Sequence, residues 1–134
     1  MITIKRIHVK NFRSIVDETI ELKDFNCFSG KNDSGKSNIL KALNLFFNNQ
    51  TDFNTPLDFN SDYSKFAKRG QKQAKEISIV LEILVPETFI EHGIKIWKKT
   101  WRIDGLHSDN MNELFKPASR GITWLQRMQY QYVP

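Results

Sequence analysis

The stretch that most constrains this chain is GKNDSGKS, residues 30–37, set within FNCFSGKNDSGKSNILKAL. Its spacing, G-x-x-x-x-G-K-S, matches what a polyphosphate needs: several amide donors converging on one point, in a positive field. Such a cradle works only between a strand that fixes its entry and a helix that supplies its dipole. The flanking residues predict both. Residues 25–28 read as a β-prone run entering Gly30. Over 37–47, Ile39, Leu40, Leu43 and Phe47, with Phe46 beside them, fall on one helical face, and Asn48-Asn49 is a plausible stop. On average composition the octapeptide pattern arises by chance in roughly one chain in 200 of this length. The strand–turn–helix context argues against chance here.

The residue types assign roles. Gly30 can take backbone angles closed to other residues. Gly35 lets the backbone approach the ligand, so the amides from Asp33 through Ser34 to Ser37 can point at a β-phosphate. Lys36 is placed between β- and γ-phosphates, and the Ser37 hydroxyl is a ligand for the Mg²⁺ that bridges them. A helix opening near Lys36 adds its partial positive charge. A carboxylate repels phosphate, so Asp33 is expected to face outward.

The chain has 134 residues, 40% hydrophobic and 26% charged, which sets one modest domain as the prior. Without a run of about 18 apolar residues, no membrane-spanning helix is expected. The amino terminus alternates apolar and polar residues, unlike a secretory signal. Cys27 is the only cysteine, so no internal disulfide can form, in keeping with a cytoplasmic location. The net charge of +5 is locally concentrated. Lys65, Lys68, Arg69, Lys72 and Lys75 fall in one stretch free of acids, a surface that can attract DNA or serve only as a solvated loop.

Along the chain, residues 3–12 and 16–22 read as strands. Residues 50–75 lose all periodicity and read as a polar, then basic, loop or insertion. Strands are expected again over 76–85 and 94–103, paired antiparallel, with a turn at Asp104-Gly105. Residues 111–117 carry no clear pattern. Residues 119–129 are expected to be helical despite Gly121. The chain divides into 1–49 (strands, loop and first helix), 50–75, and 76–134 (an antiparallel β arm and a helical segment). Tyr130, Tyr132 and Val133 have strand spacing, and an apolar ending suggests the front part of a longer protein.

The residues resemble a known family. GKNDSGKSNILKAL is similar to the G-x-N-x-S-G-K-S-N pattern of ABC-type ATPases that act on DNA, the SMC, RecF and OLD (overcoming lysogenization defect) groups. Ile7-His8-Val9-Lys10-Asn11-Phe12-Arg13-Ser14 is similar to their first strand, which ends in N-F-[RK]-S. The match covers residues 2–47. The resemblance implies an α/β P-loop NTPase fold: the ABC-ATPase-like N-terminal lobe, with a mixed sheet and an antiparallel β arm, incomplete as a domain. It implies ATP and Mg²⁺ as ligands. It places Asn11, Arg13 and Ser14 beside the nucleotide, with Asn32 shaping the turn and Asn38 near the metal. It also implies partners: a second ATPase head, as a homo-oligomer, or further ATPase or nuclease subunits. In an OLD-like protein the remainder would include a Toprim nuclease and serve antiviral defence.

Hydrolysis in that family needs more than the cradle. A strand ending in Asp-Glu and an L-S-G-G-Q-like signature are expected, and neither occurs in this sequence. Glu82, after Ile79-Val80-Leu81, lacks the aspartate and fits a strand face better. Gln126, Gln129 and Gln131 are equivalent candidates for a γ-phosphate sensor. No catalytic residue is therefore assigned, and ATPase activity requires completion by further sequence or subunits. Two other readings stand beside this one: a non-hydrolysing regulatory or DNA-binding subunit, and a small P-loop kinase or GTPase. The latter is disfavoured by the lack of N-K-x-D. His8, His92 and His107 have no metal-ligand spacing. Cys27 reads as core. Trp97 and Trp101 share one strand face, where packing is favoured over base stacking, although Lys95 and Lys99 lie beside them.

Overall fold

The computed structural model describes residues 2–22, 34–68, 72–115 and 120–127; for 34–36 and 120 only the backbone is described. Five strands form one sheet in the order β2-β1-β5-β6-β7: β1 (Thr3–Phe12), β2 (Ile15–Glu21), β5 (Ile77–Val85), β6 (Gly93–Arg102) and β7 (Gly105–Asp109). Between β2 and β5 the chain forms helix α1 (Ser34–Asn48), a two-stranded hairpin of β3 (Gln50–Asp52) and β4 (Thr55–Pro56), and the one-turn helix α2 (Phe59–Asp62). A 3₁₀ turn (Met111–Glu113) and helix α3 (Arg120–Arg127) follow β7.

The sheet's two faces follow from side-chain alternation. In β5, Ile77, Ile79, Leu81, Ile83 and Val85 are all buried. Their cross-strand partners Val9, Ile7, Trp97 and Trp101 share that face. The opposite face carries Arg6, His8, Glu82 and Ile96, aligned through the same ladders. There Arg6 bridges Glu21 at 3.1 Å and Glu82 at 3.6 Å. His8 pairs with Asp17, holding that exposed carboxyl below its ordinary pKa.

Helix α1 covers the apolar face. Ile39, Ala42, Leu43, Leu45 and Phe46 are buried, and the Phe46 ring meets Trp97 edge-on with centroids 4.7 Å apart. This stripe is wider than the periodicity of Ile39, Leu40, Leu43 and Phe47 predicts, because β3 and β4 pack on a second side of the helix. The helix ends at Asn49, whose positive φ of 56° and N–H bond to the Leu45 carbonyl form a left-handed cap. Two groups on β6 close that end. Lys99 Nζ donates to the Phe46 carbonyl at 2.7 Å, and the Trp101 indole N–H reaches Asn49 Oδ1 at 3.4 Å. Burial pushes the Lys99 ammonium below its ordinary 10.5, against the opposing attraction of Asp109 at 3.8 Å. Trp97 and Trp101 are only 2% and 1% exposed, so both are packing residues.

Several sequence expectations are refined. The described pairings are all antiparallel. The parallel neighbour that a mixed sheet needs is absent among the described residues, and the strand expected over 25–28 lies outside them. Residues 50–68 are not a featureless loop: Phe59, Asp62 and Ser64 are buried. Strand β7 was not anticipated, since GLHSD has no apolar alternation and its pairing to β6 holds it. Helix α3 includes Gly121 for a packing reason. A Cβ there would sit 2.3 Å from the Phe115 ring.

Candidate nucleotide site

The site is assembled where the β1–β2 turn meets the first turn of α1. Phe12 pairs with Ile15, so Arg13 and Ser14 form a tight hairpin turn. Arg13 takes φ 54° and Asn11 φ 61°, left-handed values that cost a non-glycine residue about 1–3 kcal/mol. Glycine or asparagine commonly holds positive φ in such turns. Local hydrogen bonds offset the strain: Arg13 N–H donates to the Asp62 carbonyl at 2.7 Å, and Ser64 N–H to the Asn11 carbonyl at 3.0 Å. Phe12 also bridges to Tyr63. The segment around α2 is thereby strapped along the end of β1.

From this turn Ser14 accepts a 2.7 Å hydrogen bond from Asn38 Nδ2. Asn38 follows Ser37, whose side chain is exposed in the first part of α1. The backbone of Ser34, Gly35, Lys36 and Ser37 is helical, so the S-G-K-S half of the octapeptide is the mouth of α1. No acidic residue lies in that first turn. Its free N–H groups and dipole favour an anion. Gly30, Asn32 and Asp33 lie outside the described residues.

The other residues expected beside the ligand point elsewhere. Asn11 Nδ2 donates to the Glu76 carbonyl at 3.1 Å. Arg13 Nη2 bonds Asp62 Oδ1 at 2.9 Å, and its guanidinium lies 5.6 Å from the Phe12 ring centre. Asp62 is a contact the sequence did not reveal. It sits in the polar run FNSDYS, and its signal was the Phe59/Tyr63 pair at helical spacing, whose rings stack at 5.4 Å.

Mg²⁺ finds one candidate protein ligand here, the Ser37 hydroxyl. Among the described residues no cluster of three or more His, Cys, Asp or Glu side chains could hold a metal. A lone hydroxyl at a helix mouth fits a cation whose other ligands are phosphate and water oxygens. His8 is paired with Asp17, and His92 Nδ1 contacts the Phe89 carbonyl. Glu82 faces Arg6 on the open side of the sheet. Of the basic run, Lys65, Lys68, Lys72 and Lys75 are exposed, with Lys75 Nζ 5.6 Å from the Tyr63 ring centre. Arg69 lies outside the described residues. So do Gln129 and Gln131, whereas Gln126 is exposed on α3.

A family model for the AAA ATPase domain (AAA_15) matches residues 2–121. The chain belongs to the AAA ATPase domain family. Two relatives from Methanocaldococcus jannaschii share sequence with this AAA domain. The uncharacterized protein MJECL44 is 41% identical over 97 residues, 60% of this chain and 29% of the relative. The uncharacterized protein MJECL10 is 45% identical over 51 residues, 37% of this chain and 23% of the relative. A solved structure of the recombination mediator protein RecF with ATP aligns at TM-score 0.47 and 16% identity, covering 81% of this chain and 26% of that one. The chain thus spans under a third of the length of each. The α/β architecture with its antiparallel sheet is that of a P-loop NTPase-like fold, and the family is one that binds ATP. No helix among the described residues is long and apolar enough to cross a membrane.

Proposed function

We propose that this chain is the ATP-binding N-terminal part of an ABC-type ATPase of the SMC/RecF/OLD group that acts on DNA. The observation that carries the reading is the placement of Ser34–Ser37 at the mouth of α1, tied through Asn38 to the N-F-R-S turn. Gly30, Asn32, Asp33, Ser34, Gly35, Lys36, Ser37 and Asn38 form the phosphate grip, with Ser37 on Mg²⁺ and Asn11, Arg13 and Ser14 along its flank. When bound, Mg²⁺ neutralises phosphate charge and fixes the β- and γ-oxygens. The chain's own part is to bind and orient: helix-mouth amides donate to phosphate, Lys36 adds an ammonium, and Asn38 fixes Ser14. The water-activating carboxylate and signature loop come from other sequence or another subunit.

The test is Lys36→Ala in the full chain, with Mg-ATP binding measured by titration. Losing a charge-assisted contact worth about 1.5–3 kcal/mol weakens binding about 10- to 100-fold. Unchanged affinity would show that Lys36 does not grip phosphate. The DNA part rests on the exposed Lys65, Lys68, Lys72 and Lys75. Reversing those charges is expected to lower DNA affinity and flatten its salt dependence. An unchanged salt slope removes these lysines from the interface. The OLD form of the proposal adds a nuclease in the longer protein and a defence role. It predicts DNA cleavage by that protein and none by this chain alone.

A further inference from the structure

We infer that Asp62 is a positioning residue for the nucleotide site, holding Arg13 so that its free guanidinium edge is presented to the ligand phosphates. The inference rests on the ATP-binding reading above and adds a residue that no motif contains.

Asp62 is 4% exposed, an unusual place for a carboxylate unless it is paired. One oxygen, Oδ1, takes the Arg13 Nη2 bond, and the other, Oδ2, accepts the Asp58 amide at 3.0 Å. Its main-chain carbonyl takes the Arg13 N–H. A single residue thus fixes both the backbone and the head of Arg13, while the Phe12 ring bounds the guanidinium on another side. The Arg13 side chain remains 31% exposed, and Nη1 has no hydrogen-bond partner among the described residues. Arg13 also occupies a left-handed turn position where glycine would be unstrained. A surface base has no need of that position. An arginine that must project from this turn does.

The neighbouring contact sets the direction. Arg13 is covalently next to Ser14, and Ser14 is hydrogen-bonded to the residue after the proposed Mg²⁺ ligand. Holding a guanidinium at such a point lowers the ordering cost of a bidentate phosphate contact.

The experiment compares the wild-type full chain with Asp62→Asn, Asp62→Glu and the double variant Arg13→Gln/Asp62→Asn, which leaves no buried unpaired charge. Two readouts are taken: Mg-ATP affinity, and displacement of labelled ATP by inorganic triphosphate. Asp62→Asn is expected to weaken both by about 10-fold, the low end of what losing an orienting partner costs a metal ligand. Asp62→Glu keeps the charge, moves it by one methylene and gives a smaller loss; it also serves if Asp62→Asn does not fold. The double variant is expected to be no more than a few-fold weaker than Asp62→Asn. A lowered melting temperature with both affinities unchanged would make Asp62 purely structural and overturn the inference. So would tighter binding in Asp62→Asn, because Asp62 would then compete with the ligand. If Lys36→Ala leaves wild-type binding intact, it is the nucleotide reading beneath the inference that fails.

Discussion

The two ends of α1 receive opposite treatment. At its carboxyl end the protein completes the helix itself: Asn49 caps it, Lys99 takes the Phe46 carbonyl and Trp101 braces the cap. At its amino end the first turn contains no acid, and the motif around it is built from small residues and one lysine. A helix has unsatisfied donors at one end and unsatisfied acceptors at the other. Here the acceptors are answered by side chains of the fold, while the donors are left for a ligand. The contrast separates stability from function within one element about 22 Å long.

The comparison breaks most decisively at the amino end. Lys36→Ala should weaken Mg-ATP binding by about 10- to 100-fold and leave the melting temperature of the ligand-free protein nearly unchanged. A large drop in ligand-free stability would mean that this end, too, is internally satisfied. At the other end, Lys99→Met should destabilise the fold by about 1–3 kcal/mol in denaturant titrations, because the Phe46 carbonyl is left without its donor. ATP affinity of the folded protein should stay within about two-fold, as for well-separated sites. A matching loss of affinity would show that the ends are coupled.

Asn49→Ala should cost about 1 kcal/mol, while Asn49→Gly should be close to neutral, since the cap needs a positive φ. Equal effects would make the side-chain contact with Trp101, and not the backbone angle, the important term. The smallest effect concerns pH. Burial lowers the pKa of Lys99 in the folded state. Between that lowered value and 10.5 the unfolded chain binds more protons than the folded one. Stability attributable to Lys99 therefore rises with pH across that window. The wild-type minus Lys99→Met difference should show this slope, and a flat difference would place the ammonium in solvent.

The strong periodic signals were readable in the sequence. Alternation in TIKRIHVKNF and ISIVLEILV marked β1 and β5, and the spacing of Ile39, Leu43 and Phe47 marked α1. Motif chemistry found the helix mouth, and the resemblance led to Ser14 and Asn38, which the structure joins. What escaped has no period of its own. Strand β4 is two residues long, α2 is a single turn, and β7 is an edge strand whose polar side chains are held by main-chain pairing. Asp62 and Lys99 escaped for a related reason. Each is a charged residue in a position that pattern reading assigns to solvent, buried only because its partner arrives from distant sequence: Arg13 for one, the Phe46 carbonyl for the other.

The central ladder joins β1 to β5, Lys10 facing Ser78 and Val9 facing Ile79. Everything between those strands, the phosphate-gripping turn and its helix included, is a chain excursion whose two feet are locked together. The entropy of closing such an excursion grows only slowly with its length. Residues could therefore be added or removed in the exposed basic stretch before Glu76 at small thermodynamic cost. A backbone cut there would leave two pieces still zipped along the middle of the sheet. The topology thus gives this domain room to vary its charged appendage without disturbing the mouth of α1.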